Sequence, residues 1–244
     1  MFSADYQKTN TKPDKLYSIL PTVLSLLGQI KGKTIVDVGC GTGFFTNSIV
    51  QRGATHVYGI DISSESLKIA RRNSVETRGT VEYILLDIFE DKLPVCDSIC
   101  FPFVLNLAKS VHDMLRALEI CFFALRDGGN IVLVVDLPIN NKSHSVLQKQ
   151  KEFGAVKTLL GARKNGTSLQ VDLYNRKKKV YSFQSRFFTS KCIEQCLSRA
   201  GFQNILWHSP IISKKGFEYM PDLFWEGYQD ICEIGYITAL KVSK

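Results

Sequence analysis

The sequence predicts an α/β fold, a mostly parallel sheet wound with helices on both faces. Three observations carry that expectation. Short apolar, β-branched runs recur at TIVDV (34–38), HVYGI (56–60), VEYILL (81–86), DSICF (97–101) and NIVLVV (130–135). Between them lie FFTNSIVQRG, SSESLKIARRNSVETRG and SVHDMLRALEICFFALRDGG, the last two with apolar residues at three- and four-residue spacing. The first run passes straight into a glycine-rich turn and then a helix. Strand alternating with helix calls for parallel pairing with crossover helices, so ligands belong beyond the C-terminal ends of the strands.

Taken in order, the chain opens with ADYQKTNTKPDKLYSIL, read as a leading helical segment, and the alternating units follow. After Pro138 the alternation stops, and residues 139–182 turn polar, basic and irregular until SLQVDLYNRKKKVYSF, which reads as two strands about a basic turn. TSKCIEQCLSRAGF is a helix with a Thr or Ser cap and a Gly stop. The apolar run NILWHSPII follows it. GYITALKVS (235–243) is preceded by a connection too short for a crossover helix, which predicts an antiparallel final strand. The segment 138–190 and the loop 208–230 are expected to sit over the strand ends as a helical and loop-built cap.

A chain of 244 residues, 45% hydrophobic, can bury a sizeable core in one domain. The N-terminal residues lack the basic and apolar regions of a secretion signal, and no apolar stretch is long enough for a membrane span. Seven cysteines, an odd number, sit mostly within apolar or helical patterns. Together these features point to a soluble protein of a reducing compartment, the cytoplasm. Cys192 and Cys196 lie one helical turn apart, but no further ligand set stands near them, so core packing is expected and no metal site.

The net charge of +8 is unevenly placed. Residues 1–137 carry 14 Lys and Arg against 15 Asp and Glu, whereas residues 138–244 carry 17 against 8, so the whole basic excess lies in the second part. Such a bias suits an anionic partner, or only a solvated surface, which is the expectation for the run NRKKKV (175–180).

The loop IVDVGCGTGFFT sets Gly39, Gly41 and Gly43 at alternate positions between the first strand and the first helix. Backbone amides there face a ligand at a helix N-terminus. A dinucleotide fingerprint begun at Gly39 would require glycine at position 44, where this chain has Phe44. Asp37 lies within the strand, where a carboxylate orders the loop or meets a cationic ligand group. Asp61, in YGIDIS at the end of the second run, can accept from both hydroxyls of a ribose. Asp87 closes the third run in LLDIF, where it can accept from an adenine amino group while Ile62 and Ile88 sandwich the ring. Three acids and no basic residue at the strand ends disfavour a pyrophosphate and suit a cofactor with adenosine at one end and positive charge at the other.

In order and at these spacings, IVDVGCGTGFFT, YGIDIS and LLDIF resemble the first three motifs of the class I (Rossmann-like) S-adenosylmethionine-dependent methyltransferases, over roughly residues 30–136. The resemblance implies a seven-stranded sheet with the last strand antiparallel and S-adenosylmethionine as cofactor. It divides one methyltransferase domain (1–244) into an N-terminal helical lid (1–30), a cofactor-binding core (31–137), a cap insertion (138–190) and a C-terminal helix with strands (191–244). It assigns cofactor contacts to Asp37, Gly39, Cys40, Gly41, Gly43, Phe44, Asp61, Ile62, Asp87 and Ile88, with Tyr6 added from the leading segment.

The fourth run ends in CDSICFPFVLNLAKS. Enzymes of this class that methylate amino groups in nucleic acids carry an Asn/Asp-Pro-Pro-aromatic tetrad there, and FPFV lacks it. The segment is similar instead to the small-molecule branch, which implies Phe101 and Pro102 against the cofactor and Phe103 and Asn106 toward the substrate. Trp207, Phe217, Tyr219, Phe224, Trp225 and Tyr228 can box a planar or cationic substrate, or pack as core. Of four histidines, His56 and His112 read as structural, and His144 and His208 as candidate general bases. The expected activity is methyl transfer to O or N of a small molecule, anionic or aromatic in character. The alternatives are an RNA or protein methyltransferase using the basic C-terminal part, and a catalytically silent S-adenosylmethionine-binding module. A nicotinamide-dependent dehydrogenase is the most distant of the readings.

Overall fold

A computed structural model of the chain describes residues 8–75 and 77–242. After a short turn at Lys8–Thr11 and a widened helical turn at Lys15–Ile19, the elements begin with helix α1 (Leu20–Leu26). Strand β1 (Thr34–Val38), helix α2 (Phe44–Gln51), strand β2 (His56–Asp61), helix α3 (Ser64–Arg72) and strand β3 (Thr80–Leu85) follow. Strand β4 (Cys96–Pro102), helix α4 (Val111–Ala124) and strand β5 (Leu125–Asp136) complete the first half. These strands coincide with the five apolar runs of the sequence to within a few residues.

Beyond Asp136 come helix α5 (His144–Phe153), strands β6 (Ala155–Leu159), β7 (Thr167–Asn175) and β8 (Lys178–Phe187), and helix α6 (Ser190–Ala200). Strand β9 (Gln203–His208), helices α7 (Lys214–Tyr219) and α8 (Tyr228–Ile231), and strand β10 (Ile234–Leu240) close the chain. The main sheet has seven strands in the order β3-β2-β1-β4-β5-β10-β9. Strand β10 runs antiparallel to both neighbours, as expected, although the connection before it is not short and carries α7 and α8.

The core strands are buried on both faces, and their two-residue period divides them between two apolar layers. Ile35, Val132 and Val134 face α1 and α2, whereas Val36, Val38, Ile131, Leu133 and Val135 face α4 and α6. The predicted stop signals act as expected on α6: the Thr189 hydroxyl accepts from the Cys192 amide at 3.2 Å, and Gly201 ends the helix at φ +107°. All seven cysteines are buried thiols, with Cys192 and Cys196 in the layer beneath α6.

The expected helical and loop-built cap is instead largely a sheet. Strands β6, β7 and β8 pair antiparallel around a small core of Leu169, Val171 and Leu173. The two strands read from SLQVDLYNRKKKVYSF are β7 and β8, joined where Arg176 and Lys177 take left-handed backbone conformations (φ +49° and +66°). Strand β6 has no counterpart in the sequence reading. Its alternate residue Lys157 is 2% exposed, contrary to the surface place that a lysine suggests, because a carboxylate meets it from the main sheet.

Candidate functional site

Strand order reverses between β1 and β4, and at that switch point a cavity of about 350 Å³ opens over the C-terminal ends of β1 to β4. Its floor is the loop after β1. Gly39 (φ +65°) runs against the side chain of Val104, so any Cβ at position 39 would strike it. Gly43 (φ +85°) starts α2 beneath the Tyr83 hydroxyl, where a Cβ would come within 2.6 Å of the oxygen. Both positions therefore combine a left-handed backbone with a close approach that glycine alone allows.

Asp61 fixes this loop from the end of β2. Its Oδ2 accepts from the Gly41 amide at 2.9 Å and its Oδ1 from the Ser63 amide at 2.8 Å. Burial pushes its carboxyl above the usual range while these two amides pull the other way. At the end of β3, Asp87 Oδ1 accepts from the Phe89 amide at 2.9 Å, which turns the backbone so that Asp87, Ile88 and Glu90 all face the cavity. Ile62, 68% exposed, stands at the rim, and Ile88 is buried within.

Of the residues read from sequence as cofactor contacts, Gly39, Gly41, Asp61, Ile62, Asp87, Ile88 and Pro102 line this cavity. Asp37, Cys40, Gly43, Phe44 and Phe101 do not. Asp37 lies under the loop with its Oδ2 accepting from Thr46 Oγ1 at 2.6 Å, and its Oδ1 has no hydrogen-bond partner. Burial raises its carboxyl to about 7. Cys40 packs away from the cavity with Leu67, Ala70 and Tyr83, and burial drives its thiol far upward, so it is inert. Phe44 carries the Lys15 ammonium 4.5 Å above its ring, and Phe101 is wholly core. Tyr6 lies outside the described residues.

None of the residues expected to catalyse lines this cavity. Asn106 spends its amide on structure: Oδ1 accepts from the Asp136 amide at 2.9 Å, and Nδ2 donates to the Arg186 carbonyl at 2.9 Å, tying the cap to β5. His144 sits exposed in the first turn of α5 beside Gln148, at 3.3 Å. His208 lies on the edge strand β9, three strands from β4, with Nε2 2.7 Å from Thr238 Oγ1.

None of the six aromatics expected to box a substrate borders this cavity or the smaller one beside it. Trp225 and Tyr228 form a core with Phe153, edge-on to Phe153 at 4.8 Å in the case of Tyr228, and Trp225 Nε1 donates to the Gly216 carbonyl at 2.9 Å. Phe224 meets Trp225 edge-on, Trp207 donates to Glu194, and Phe217 and Tyr219 face solvent.

Sequence reading missed Val104, Leu107, Lys109 and Asp113 after β4, Glu90 after β3, and Phe183 from the cap. The first five follow recognised motifs within a few residues, which is a usable signal; Phe183 arrives only through tertiary folding. Phe103, expected toward the substrate, does border the cavity. It adopts a left-handed backbone (φ +62°) held by its amide donating to the Val134 carbonyl at 2.7 Å. Phe103 and Phe183 together form the partition between this cavity and the second one, of about 50 Å³.

Residues 35–129 match the sequence profile of a family described as a methyltransferase domain. The chain is similar to a ubiquinone biosynthesis O-methyltransferase of Idiomarina loihiensis, with 32% identity over 102 residues, or 41% of each chain. One of the same description from Alkalilimnicola ehrlichii is 32% identical over 115 residues, 46% of this chain and 45% of that one. The matched region thus spans less than half the length of these curated relatives. In three dimensions the chain resembles an S-adenosylmethionine-dependent methyltransferase of Mesorhizobium loti, with TM-score 0.63 and 19% identity over 95% of this chain and 99% of that one. It also resembles the [4+2]-cyclase SpnF, with TM-score 0.56 and 17% identity over 93% and 81%. Likenesses at this level of identity establish a shared fold, and the cyclase shows that the fold alone leaves the chemistry open.

Proposed function

We propose, starting from the match of residues 35–129 to the methyltransferase-domain family, that the chain is an S-adenosylmethionine-dependent methyltransferase acting on an oxygen or nitrogen of a small molecule. The observation that carries this reading is the cavity at the switch point, in which the glycine loop, Asp61 and Asp87 follow one another along one wall. The donor set fits the cofactor. Asp61 offers carboxylate oxygens where a ribose would lie, Ile62 and Ile88 offer apolar faces for adenine, and Asp87 offers an acceptor for its amino group. The loop carries no side chain at Gly39 or Gly41 to obstruct a ligand.

S-adenosylmethionine would supply a methyl group on a positively charged sulfur, a charge that disappears as the methyl leaves. The protein's contribution is then alignment and exclusion of water rather than stabilisation of new charge. Pro102, Phe103 and Val104 close the wall beside β4, and Phe183 reaches across from the cap, so the partition between the two cavities is apolar. A small acceptor, anionic or aromatic, would approach from the second cavity. The two relatives named as O-methyltransferases support an oxygen acceptor within this reading. Seven buried thiols suit a reducing compartment such as the cytoplasm, and no helix among the described residues is long and apolar enough to cross a membrane.

Calorimetry with S-adenosylhomocysteine tests the reading. Wild type is expected to bind, and Asp61→Ala, which removes the acceptor of two loop amides, is expected to weaken binding at least about tenfold. Transfer of labelled methyl from S-adenosylmethionine into a panel of small hydroxyl and amine acceptors then tests turnover. No binding by wild type sinks the assignment, and binding without turnover on any acceptor favours a silent binding module.

A further inference from the structure

Residues 9–15 touch two separate parts of the molecule, the glycine loop and the cap. On the loop side, Asn10 Nδ2 donates to the Thr42 hydroxyl at 3.2 Å. Asn10 Oδ1 accepts from Lys15 Nζ at 2.6 Å, and that nitrogen also lies 4.5 Å over the ring of Phe44, the first residue of α2. On the cap side, Asn175 Nδ2 of β7 donates to Thr11 Oγ1 at 3.1 Å, and Lys12 Nζ donates to the Gly154 carbonyl, between α5 and β6, at 2.9 Å. Thr42 stands between Gly41 and Gly43, both with left-handed backbones (φ +55° and +85°), so the position of the loop depends on what holds it from outside. Asp61 holds it through the Gly41 amide and Asn10 through Thr42. Asn10 and Thr42 line neither cavity, whereas their neighbours do: Gly39 and Gly41 line the larger, and Thr9, Lys12 and Lys15 line the smaller.

We propose that Asn10 is a positioning residue that couples the two cavities. Through Thr42 it ties the loop that would cradle the cofactor to the segment that walls the smaller cavity, so a ligand that fixes the loop also fixes the wall an acceptor would meet. The proposal rests on the methyltransferase reading above. Asn10 suits the task because one planar amide both donates and accepts, which lets a single side chain hold Thr42 and Lys15 together. With the tie cut, the segment keeps its cap contacts through Thr11 and Lys12, so it stays docked but ceases to respond to the loop. Coupling of this kind is reciprocal: the factor by which the cofactor tightens the segment is the factor by which a ligand in the smaller cavity tightens the cofactor, and such factors run from about five to about 150.

The test is hydrogen exchange over residues 8–19 of the full chain, read by mass spectrometry with and without saturating S-adenosylhomocysteine. This stretch includes the Leu16 amide, which donates to the Lys12 carbonyl at 3.0 Å. In wild type the ligand is expected to slow exchange there at least about fivefold. In Asn10→Ala, and in Thr42→Val, which keeps the shape of threonine without its hydroxyl, that factor is expected to fall to about two or less, whereas Thr42→Ser retains it. A role confined to holding the segment in place would speed exchange equally with and without the ligand and leave the factor unchanged. The doubly substituted chain should lose no more of the factor than either single variant, because both cut one tie. Thermal melting confirms that the variants are folded, and Asn10→Ala decides the matter if Thr42→Val weakens ligand binding itself. Absence of any slowing in wild type that binds S-adenosylhomocysteine overturns the proposal, as does an undiminished factor in folded Asn10→Ala. Failure of wild type to bind S-adenosylhomocysteine is a separate result, and it counts against the methyltransferase reading.

Discussion

Asp37 shows how much a single side chain can hold in tension. It lies in the middle of the glycine-loop motif, yet it is wholly buried, with one oxygen bonded by Thr46 and the other without a hydrogen-bond partner. Burial raises its carboxyl from an ordinary 3.8 to about 7. Below about pH 4 it is protonated in both folded and unfolded chains and costs nothing. Between these values the unfolded chain ionises first, so stability falls as the pH rises, and above about 7 the full cost is present. Asp37→Asn abolishes that titration. The stability of the variant relative to wild type is therefore expected to rise by on the order of 2–4 kcal/mol between about pH 4 and pH 8, whatever its constant offset. Urea denaturation at a series of pH values reads this directly, and a gap that stays flat across the range rules the account out. Neighbouring Asp61 differs because the Gly41 and Ser63 amides reach it, so two acids of one motif set divide into a loop brace and a cavity wall.

Between elements, the main joint is the attachment of the cap to the sheet. Lys157 on β6 sets its ammonium between Asp136 at the end of β5, 2.7 Å away, and the Glu233 carbonyl, 2.6 Å away, with all three residues buried. Removing one partner of such a pair leaves a stranded charge, so Lys157→Met is expected to cost about 3–5 kcal/mol, and adding Asp136→Leu should recover much of it. Denaturation midpoints at unchanged m-value decide the matter, and a loss under about 1 kcal/mol means the joint is not held by this pair. The same joint marks where the sequence stops being readable. The parallel strands announce themselves because each is an apolar run with a turn signal after it, and α6 because Thr189 and Gly201 cap its ends. The β7–β8 hairpin is legible from its basic turn. Strand β6 is not, since AVKTL is short and its lysine is stabilised by a carboxylate from a distant element. For the same reason His144 and His208 looked available as bases and Trp225 and Tyr228 looked like a substrate box: the chemistry of a side chain is local, but the cavity it reaches is set by tertiary packing.

For the molecule as a whole, the open question is the basic excess of the second part. In three dimensions part of it is spent on ion pairs. At the tip of the β7–β8 hairpin, two of the four cations are neutralised, Lys177 by Glu152 at 2.9 Å and Lys179 by Asp172 at 3.6 Å. Lys142 pairs with buried Glu233 at 2.6 Å, Lys214 with Glu218 at 3.7 Å and Lys241 with Asp127 at 3.9 Å. Lys157 is turned inward to Asp136. A polyanion needs a continuous track of cations, and each phosphate neutralised steepens the fall of affinity with salt. These six cations are instead spent on local ion pairs, which weakens any such track. Fluorescence anisotropy with a single-stranded RNA oligonucleotide between about 50 and 200 mM salt should therefore show weak association, equivalent to no more than about two phosphate contacts. S-adenosylhomocysteine affinity should be indifferent to the same change. Tight RNA binding with a log–log salt slope of about −4 or steeper would reverse the small-molecule reading, because it would require several cations aligned along one track.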